Sequence, residues 1–457
     1  MGLKKIKWYE PALVALKVAA ARMAAKVLPP SGKPIVLVGG NLGEKYEDNA
    51  SVFHTYLRRE RPDLKTYWMY DPNTDYVKNE SITDAVPLGS FRNYLLFFRA
   101  DYTFHGHSIL YDLAPGIDKH IHHNKKTVMT HISHGIEGFK KILIQPEDVA
   151  LLRRTDYFNC ASEYERDIKL NGWKFPGEKL ITTGMARFDR LEPDSPAPEV
   201  KNILVMMTWR EWLFGLSDEE FMESDLFRRT VGLLEDPGIR RLIEERRLNV
   251  KVALHPFMKR FEPIFRSLPG SGQVRFVSFD EISVKDQVIE ADMLLTDYSS
   301  VSWDFLYQNK PIIFYMFDQK TIEEKRGTYL DLDGDLYGYK AKTAEEVRDL
   351  LDRITAGANT NPWYPKASYY FGYFDNENCR RLADKVIGPI PAMQKSEGRL
   401  LRGDRHKPVC GAGPAPWSGT AYDPEPLPPA AGQKKSEGRL LRGAYSEPPT
   451  GVRSDAE

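Results

Sequence analysis

Cysteine is scarce in this chain of 457 residues. Only Cys160, Cys379 and Cys410 occur, far apart and in no CxxC pair. That excludes a disulfide framework and paired-thiolate zinc sites, and it suits a reducing compartment. An excess of one charge is also missing, because Lys plus Arg equals Asp plus Glu at 64 each. Without a global positive field there is no general means of drawing in nucleic acid, and no nucleic-acid partner is expected. The GxGxxG spacing is absent as well. Gly39, Gly40 and Gly43 follow the first apolar run as GGNLGE with no acidic ribose partner in view, so they read as a tight strand-to-helix turn. No HExxH helix occurs. Seven of the ten histidines lie between His105 and His134, and their HxH and HxxH spacings raise a metal site, but no cysteine stands near them. His120, His122 and His123 fall in a polar loop and read as solvated, and no metal ligand is assigned.

What is present is apolar material, 42% of residues, enough for two sizeable α/β domains. Strand-like runs at Ile35–Val38, Thr66–Met69, Tyr102–His105, Thr127–Ile132, Tyr157–Ala161 and Leu180–Thr183 alternate with helical patterns at Asn49–Arg59 and Phe91–Arg99. The Pro-rich Glu192–Pro198 reads as a linker. A second series follows, with strands at Ile203–Met207, Val250–Leu254, Val274–Phe279, Met293–Thr296 and Ile312–Phe317. Its helices fall across Glu219–Arg246, at Thr343–Ile354 and at Asp375–Ile387. Such alternation predicts the α/β class: two doubly wound, Rossmann-like domains facing a cleft at the carboxyl ends of their strands. The expected boundaries are 31–191 and 199–387.

Residues 1–30 form a basic segment in which Ile6, Tyr9, Leu13, Leu16, Ala20, Met23 and Val27 make one helical stripe. Lys17, Arg22 and Lys26 interrupt it, so it is neither a membrane span nor a signal-peptide core. A basic amphipathic helix either lies on an anionic membrane surface or docks on the protein's own body. Residues 388–457 are rich in Pro, Gly, Ser and charge. They repeat SEGRLLRG at Ser396–Gly403 and Ser436–Gly443, which predicts a disordered tail.

Chemistry concentrates at strand exits. MLLTDYSSVSWDF, Met293–Phe305, reads as strand, polar turn and helix, and presents N–H groups and the hydroxyls of Ser299 and Ser300 at a helix start. Such a turn either caps the helix or binds phosphate. His134 leaves its strand within Ser-His-Gly, as a general base or as a structural histidine bonded to a loop carbonyl. His255 follows Val250–Leu254, and Thr208 and Arg210 follow Ile203–Met207. Cations and hydroxyls converging on one edge suggest a diphosphate site.

Several ordered motifs then resemble the CDP-glycerol glycerophosphotransferases of teichoic acid and capsule synthesis. They are KYEDNASVFHTYLRRERPDLKTYWM, Ser133–Gly135, TTGMARFDRL at Thr182–Leu191, MTWRE at Met207–Glu211, LHP at Leu254–Pro256, TDYSSVSWDFLYQNKPIIFYMFD, and RGTYLD at Arg326–Asp331. The resemblance covers about 35–387. It implies a GT-B-like fold, with an acceptor domain first and a nucleotide-donor domain second. The implied reaction moves glycerol phosphate from CDP-glycerol to a hydroxyl of a lipid-linked, polyprenyl diphosphate acceptor and releases CMP. No cofactor is implied. The place of work would be the cytoplasmic face of the membrane, with the N-terminal helix as peripheral anchor. On this reading His134 is the base. His255 as a cation, Ser299 and Ser300 hold the diphosphate, Arg210 or Arg326 adds positive charge, Thr208 donates a hydrogen bond, and Asp304 reaches the ribose. Asp297 is a structural cap. A CDP-ribitol transferase, a nucleotide-sugar glycosyltransferase and a non-catalytic nucleotide-binding scaffold are the alternatives. One departure stands out: the family reads HGTPLK where this chain has HGIEGFKK, which displaces Lys140 by one place.

Overall fold

The computed structural model describes residues 11–79, 82–142, 149–268, 272, 274–278 and 283–390. The two copies of SEGRLLRG, together with Ile6 and Tyr9, lie outside the described residues. Two parallel sheets form the frame. The first contains β1 (Ile35–Gly39), β2 (Lys65–Tyr70), β3 (Ala85–Pro87), β4 (Tyr102–His105), β5 (Val128–His131), β6 (Tyr157–Cys160) and β7 (Leu180–Thr182), in the order β3-β2-β1-β4-β5-β6-β7. The second contains β8 (Asn202–Met206), β9 (Asn249–Leu254), β10 (Val274–Ser278), β11 (Met293–Thr296), β12 (Ile312–Tyr315) and β13 (Tyr339–Ala341), in the order β10-β9-β8-β11-β12-β13. Parallel strands are covered on both faces, so they read as unbroken apolar runs, and every residue of β1, β11 and β12 is buried.

In each sheet the strand order reverses once, between β1 and β4 and between β8 and β11. The chain departs in opposite directions on the two sides of such a point, leaving a crevice beyond the carboxyl ends where ligands bind. Thr208 and Asp297–Ser300 leave the second sheet at its reversal. His107 leaves the first sheet at its own, one strand from His134. This is the GT-B-like arrangement expected from the sequence.

The two sheets are joined by more than a linker. Ile136, Phe139, Met185 and Phe188 belong to one buried cluster with Tyr298, Trp303, Tyr307, Phe314, Tyr337 and Phe371. Phe139 from the first sheet's loop sits among Tyr298, Phe314 and Tyr337, ring centroids 5.8–6.3 Å away. The Pro-rich linker is pinned too, since Asp194 and Ser195 N–H donate to the carbonyls of Tyr307 and Gln308. The helix Asn378–Val386 follows the second sheet in sequence but packs on the first. Its Cys379, Leu382 and Ala383 are buried with Val36, Val38, Phe53 and Leu57, and its N-terminal N–H groups at Asn378 and Cys379 donate to Asp189 at 2.8 Å.

The N-terminal helix spans Pro11–Val27 and is seated by Val14, Val18 and Ala21 beside the helix Phe91–Arg99. The stripe singled out from the sequence faces outward instead: Leu13, Leu16, Ala20, Met23 and Val27 are exposed. The smaller residues, four and three apart, allow the close helix–helix approach that the larger ones would block. Among the described residues no helix is long and apolar enough to cross a membrane.

Leu382→Ala removes a side chain buried against the first sheet and is expected to cost about 2–5 kcal/mol of stability. The denaturant midpoint measures it, and an unchanged midpoint would show that this helix is dispensable to the frame.

Candidate active site

His134 owes its direction to a strained residue. Ser133 has φ +56°, a left-handed conformation that a non-glycine residue holds only when its surroundings fix it. Asn49 Nδ2 donates to the Ser133 carbonyl at 3.0 Å, and Lys169 Nζ to Ser133 Oγ at 3.3 Å. Lys169 is fully buried. It also donates to the Asn159 carbonyl at 2.7 Å and pairs with Glu165 at 3.1 Å and Glu137 at 3.6 Å. The Glu165 carboxylate in turn accepts from the backbone N–H of Glu137 and Ala161. A buried cation and a buried carboxylate thus fasten the loop that follows β5.

That loop crosses to the second sheet. Gly135 lies so close to Ser300 that an added Cβ would sit 3.4 Å from Ser300 Oγ. Farther along, Tyr329 N–H donates to the Phe139 carbonyl and Lys141 N–H to the Gly327 carbonyl, at 2.8 and 3.1 Å. Lys140 is therefore delivered by the first sheet among Asp297, Arg210, Arg326, Glu211 and His255 of the second. The motif departs from HGTPLK in the first sheet's loop, and the structure brings its displaced lysine to residues of the second sheet.

His134 is exposed by area, yet it stands in the cleft between the sheets. Lost hydration, followed by the nearby charge of His107, brings its pKa down to about 4, so the imidazole is neutral and able to accept a proton at neutral pH. His255 is half-buried, and burial followed by the Lys140 charge likewise brings it to about 4. This corrects the expectation of a cationic His255: at neutral pH it is a neutral imidazole.

Two further expectations are corrected. Arg210 is buried and already saturated. Its Nε and Nη2 donate to Asp318 at 2.7 and 3.0 Å, and its Nη1 lies 2.8 Å from Asp297 Oδ2. It braces the strand exits and has no charge to spare for a ligand. Asp304 is buried and gripped by Arg187, whose Nε and Nη2 each donate to it at 2.8 Å. The same guanidinium donates from Nη1 to Asp48 at 3.0 Å and to the His134 carbonyl at 2.7 Å. Asp304 therefore ties the two sheets together and is closed to a ribose. Arg187 was legible only as part of TTGMARFDRL, and nothing in its spacing named its partner.

The remaining donors gather around Asp297. Thr208 N–H donates to Asp297 Oδ1 at 2.9 Å, while Thr208 Oγ1 is buried with no partner among the described residues. Arg326 Nη1 pairs with Glu211 at 2.9 Å, leaving a buried Nε without a hydrogen-bond partner among the described residues. Ser299 and Ser300 are half-buried at the turn, and Ser299 Oγ accepts from Val301 N–H. The helix they open, Ser302–Tyr307, has six residues, so its dipole is short and the hydroxyls and the lysine matter more. Lys140 makes no hydrogen bond or ion pair with any described residue, and burial first of all lowers its pKa to about 8. Arg210 is balanced by Asp297 and Asp318, and Arg326 by Glu211. The three cations Arg210, Arg326 and Lys140 are matched in number by Asp297, Asp318 and Glu211, but Lys140 has no ion pair of its own among the described residues, and with Thr208, Ser299 and Ser300 it forms a candidate anion site.

The histidine-rich stretch divides. The rings of His105 and His131 are neighbours on adjacent strands, both neutral because burial lowers their pKa. His120, His122 and His123 lie on a short 3-10 turn beside Arg22 and Lys26. Among the described residues no three His, Cys, Asp or Glu side chains are grouped to hold a metal ion. A cavity of about 390 Å³ opens elsewhere, where Asp292 and Lys310 precede β11 and β12, and is lined by none of the candidate site residues.

Comparison with known proteins bears on the family and the fold. The family model for CDP-glycerol:poly(glycerophosphate) glycerophosphotransferase matches residues 23–388. The minor teichoic acid biosynthesis protein GgaB of Bacillus subtilis (strain 168) is 21% identical over 407 residues, covering 81% of this chain and 42% of that protein. The teichoic acid poly(glycerol phosphate) polymerase of the same organism is 23% identical over 421 residues, covering 85% and 52%. The chain thus spans about half the length of these two relatives. The teichoic acid glycerol-phosphate transferase of Staphylococcus aureus (strain NCTC 8325 / PS 47) is 23% identical over 347 residues, 69% of this chain and 83% of that protein. A solved structure of the wall teichoic acid polymerase TagF superposes with a TM-score of 0.59 at 18% identity, covering 83% of this chain and 98% of that one. At that identity the likeness is one of fold.

Asp304→Ala removes the two-bond partner of the buried Arg187 guanidinium, leaving it Asp48 and the His134 carbonyl, and is expected to cost on the order of 3 kcal/mol in unfolding stability. A ribose-binding aspartate would leave stability unchanged and weaken only nucleotide binding, so calorimetric unfolding with and without CDP separates the two roles.

Proposed function

The chain belongs to the CDP-glycerol:poly(glycerophosphate) glycerophosphotransferase family, and from that premise we propose that it transfers glycerol phosphate from CDP-glycerol to a hydroxyl of a lipid-linked cell-envelope acceptor. The observation that carries this reading is Lys140: an ammonium without an ion pair among the described residues, brought by one sheet's loop to the strand exits of the other, beside Asp297 and His255. A diphosphate is an anion of the size and charge that such a group would hold. The TagF structure of similar fold was soaked with CDPG.

In this mechanism Lys140, Ser299 and Ser300 orient the donor diphosphate, and neutral His255 donates a ring N–H to it. The acceptor hydroxyl attacks the phosphorus that carries glycerol, His134 takes the hydroxyl proton, and the bond to the CMP oxygen breaks. CMP leaves with the bonding electron pair, its charge met by Lys140. Relatives at comparable identity include a ribitol-phosphate polymerase of S. aureus, 23% identical over 367 residues. A donor panel of CDP-glycerol, CDP-ribitol and nucleotide sugars with membrane lipid, read by product mass, therefore decides the polyol. CMP release from CDP-glycerol is the expected result. Release of a nucleoside diphosphate would make the protein a glycosyltransferase, and CDP binding without turnover would make it a scaffold.

The acceptor reading implies work at a lipid surface. The exposed row of Leu16, Met23 and Val27, 67, 62 and 80% accessible, adjoins Arg22, Lys26 and the His120–His123 turn. Apolar side chains beside basic ones fit an anionic leaflet, reached peripherally from the cytoplasmic side. Leu16→Glu with Met23→Glu is expected to abolish co-sedimentation with phosphatidylglycerol vesicles while leaving folding intact. Undiminished binding would remove the helix from this role.

His134→Ala is expected to lower turnover about 10²–10⁴-fold. Lys140→Ala is expected to raise the donor KM. The pH profile of kcat/KM follows from the two groups. His134 acts unprotonated, so activity is lost only well below the ordinary histidine value of 6.5. Lys140 acts protonated, so activity falls as pH rises through about 8. A profile still rising above that value would exclude Lys140 as the donor cation.

A further inference from the structure

We propose that His107 is a positioning residue for His134, a second imidazole that fixes the plane of the His134 ring and carries the positive charge of the pair, leaving His134 free to accept a proton. The inference rests on His134 as the base of the proposed reaction. His107 leaves β4 and His134 leaves β5, and these strands are neighbours in the sheet. Their rings stack with centroids 4.5 Å apart and planes 11° from parallel. Two imidazolium ions at that separation repel strongly, so at most one ring is charged at rest.

The surroundings decide which one. His107 Nδ1 stands 3.7 Å from Asp112 Oδ2, an ion-pair distance too long for a hydrogen bond. Asp112 is fully buried and cannot turn away. Its carboxylate accepts N–H bonds from Leu42, His107 and Ser108 at 3.0, 2.6 and 3.2 Å. Asp48 and Glu137 also face His107. The other groups near it, His105 and His131, are buried and neutral. Burial works against a charge on His107, but the carboxylates outweigh it and the net shift is upward. His134 has no carboxylate within ion-pair distance among the described residues. Asp48 and Asp112 act on it from farther off, and Arg187 holds its carbonyl. The charge therefore settles on His107. A proton taken up by His134 then creates a like-charged neighbour, which speeds its release after transfer.

His107→Phe keeps a flat ring in the stack and removes the charge. The expected result is a rise of about one pH unit in the titration midpoint of the His134 C2–H signal, followed by NMR and assigned with His134→Asn. Asp112→Asn, which weakens the hold on the His107 proton, is expected to shift it the same way. The acid limb of CMP release should move up with the midpoint in His107→Phe. An unchanged or lowered His134 midpoint in His107→Phe overturns the inference, whatever the transfer rate. A raised midpoint with no dependence of transfer on His134 upholds the coupling and defeats the proposed reaction instead.

Discussion

One guanidinium holds the site together. Arg187, on the turn after β7, binds Asp304 with two parallel bonds, Asp48 with a third and the His134 carbonyl with a fourth. Its partners come from the second sheet's helix, from the first helix after β1 and from the loop that carries the candidate base. A bidentate, planar group fixes angle as well as distance. Buried ion pairs add little net stability compared with apolar packing, but a single missing partner is costly. Such a contact sets the relation of the sheets without deciding whether the chain folds. The aromatic cluster around Phe139, Trp303 and Tyr337 provides the area buried between them.

Charge follows a similar logic across the cleft. Most cations near the strand exits are committed: Arg210 to two aspartates, Arg187 to two others, Lys169 to two glutamates. Of these three, Arg210 is the one the sequence offered as a substrate ligand, and its commitment turns it into a brace. What remains without an ion pair or side-chain hydrogen bond among the described residues is small: Lys140, the Thr208 hydroxyl and the His134 imidazole, kept neutral by lost hydration. A site with little surplus charge can discriminate by geometry, because a misplaced anion finds no second cation to settle on.

Much of the frame was legible in advance. Continuous apolar runs marked eleven of the strands, because parallel strands covered on both faces tolerate little else. The two that escaped, β3 and β13, have three residues each at sheet edges, too short for any period to show. The histidines at 134 and 255 were legible because each follows an apolar run within two residues. Arg210 and Asp304 were misjudged for one reason: sequence spacing reports which residues leave a strand or face a turn, but not which opposite charge comes to meet them. His107 was visible only as one histidine among seven.

The sequence by itself determined the α/β class, the two strand series and the edge on which the chemistry gathers, since these follow from periodicity and from the chain direction of parallel sheets. Only the tertiary structure decided which charges are spent in pairing and which stay available. Ion pairing depends on distance through space, and the partners here are separated by up to about a hundred positions or more along the chain, as Arg187 is from Asp304 and Arg210 from Asp318. The face of the N-terminal helix was settled in the same way. Both stripes satisfy helical spacing, and the shape of the neighbouring helix chose the smaller side chains.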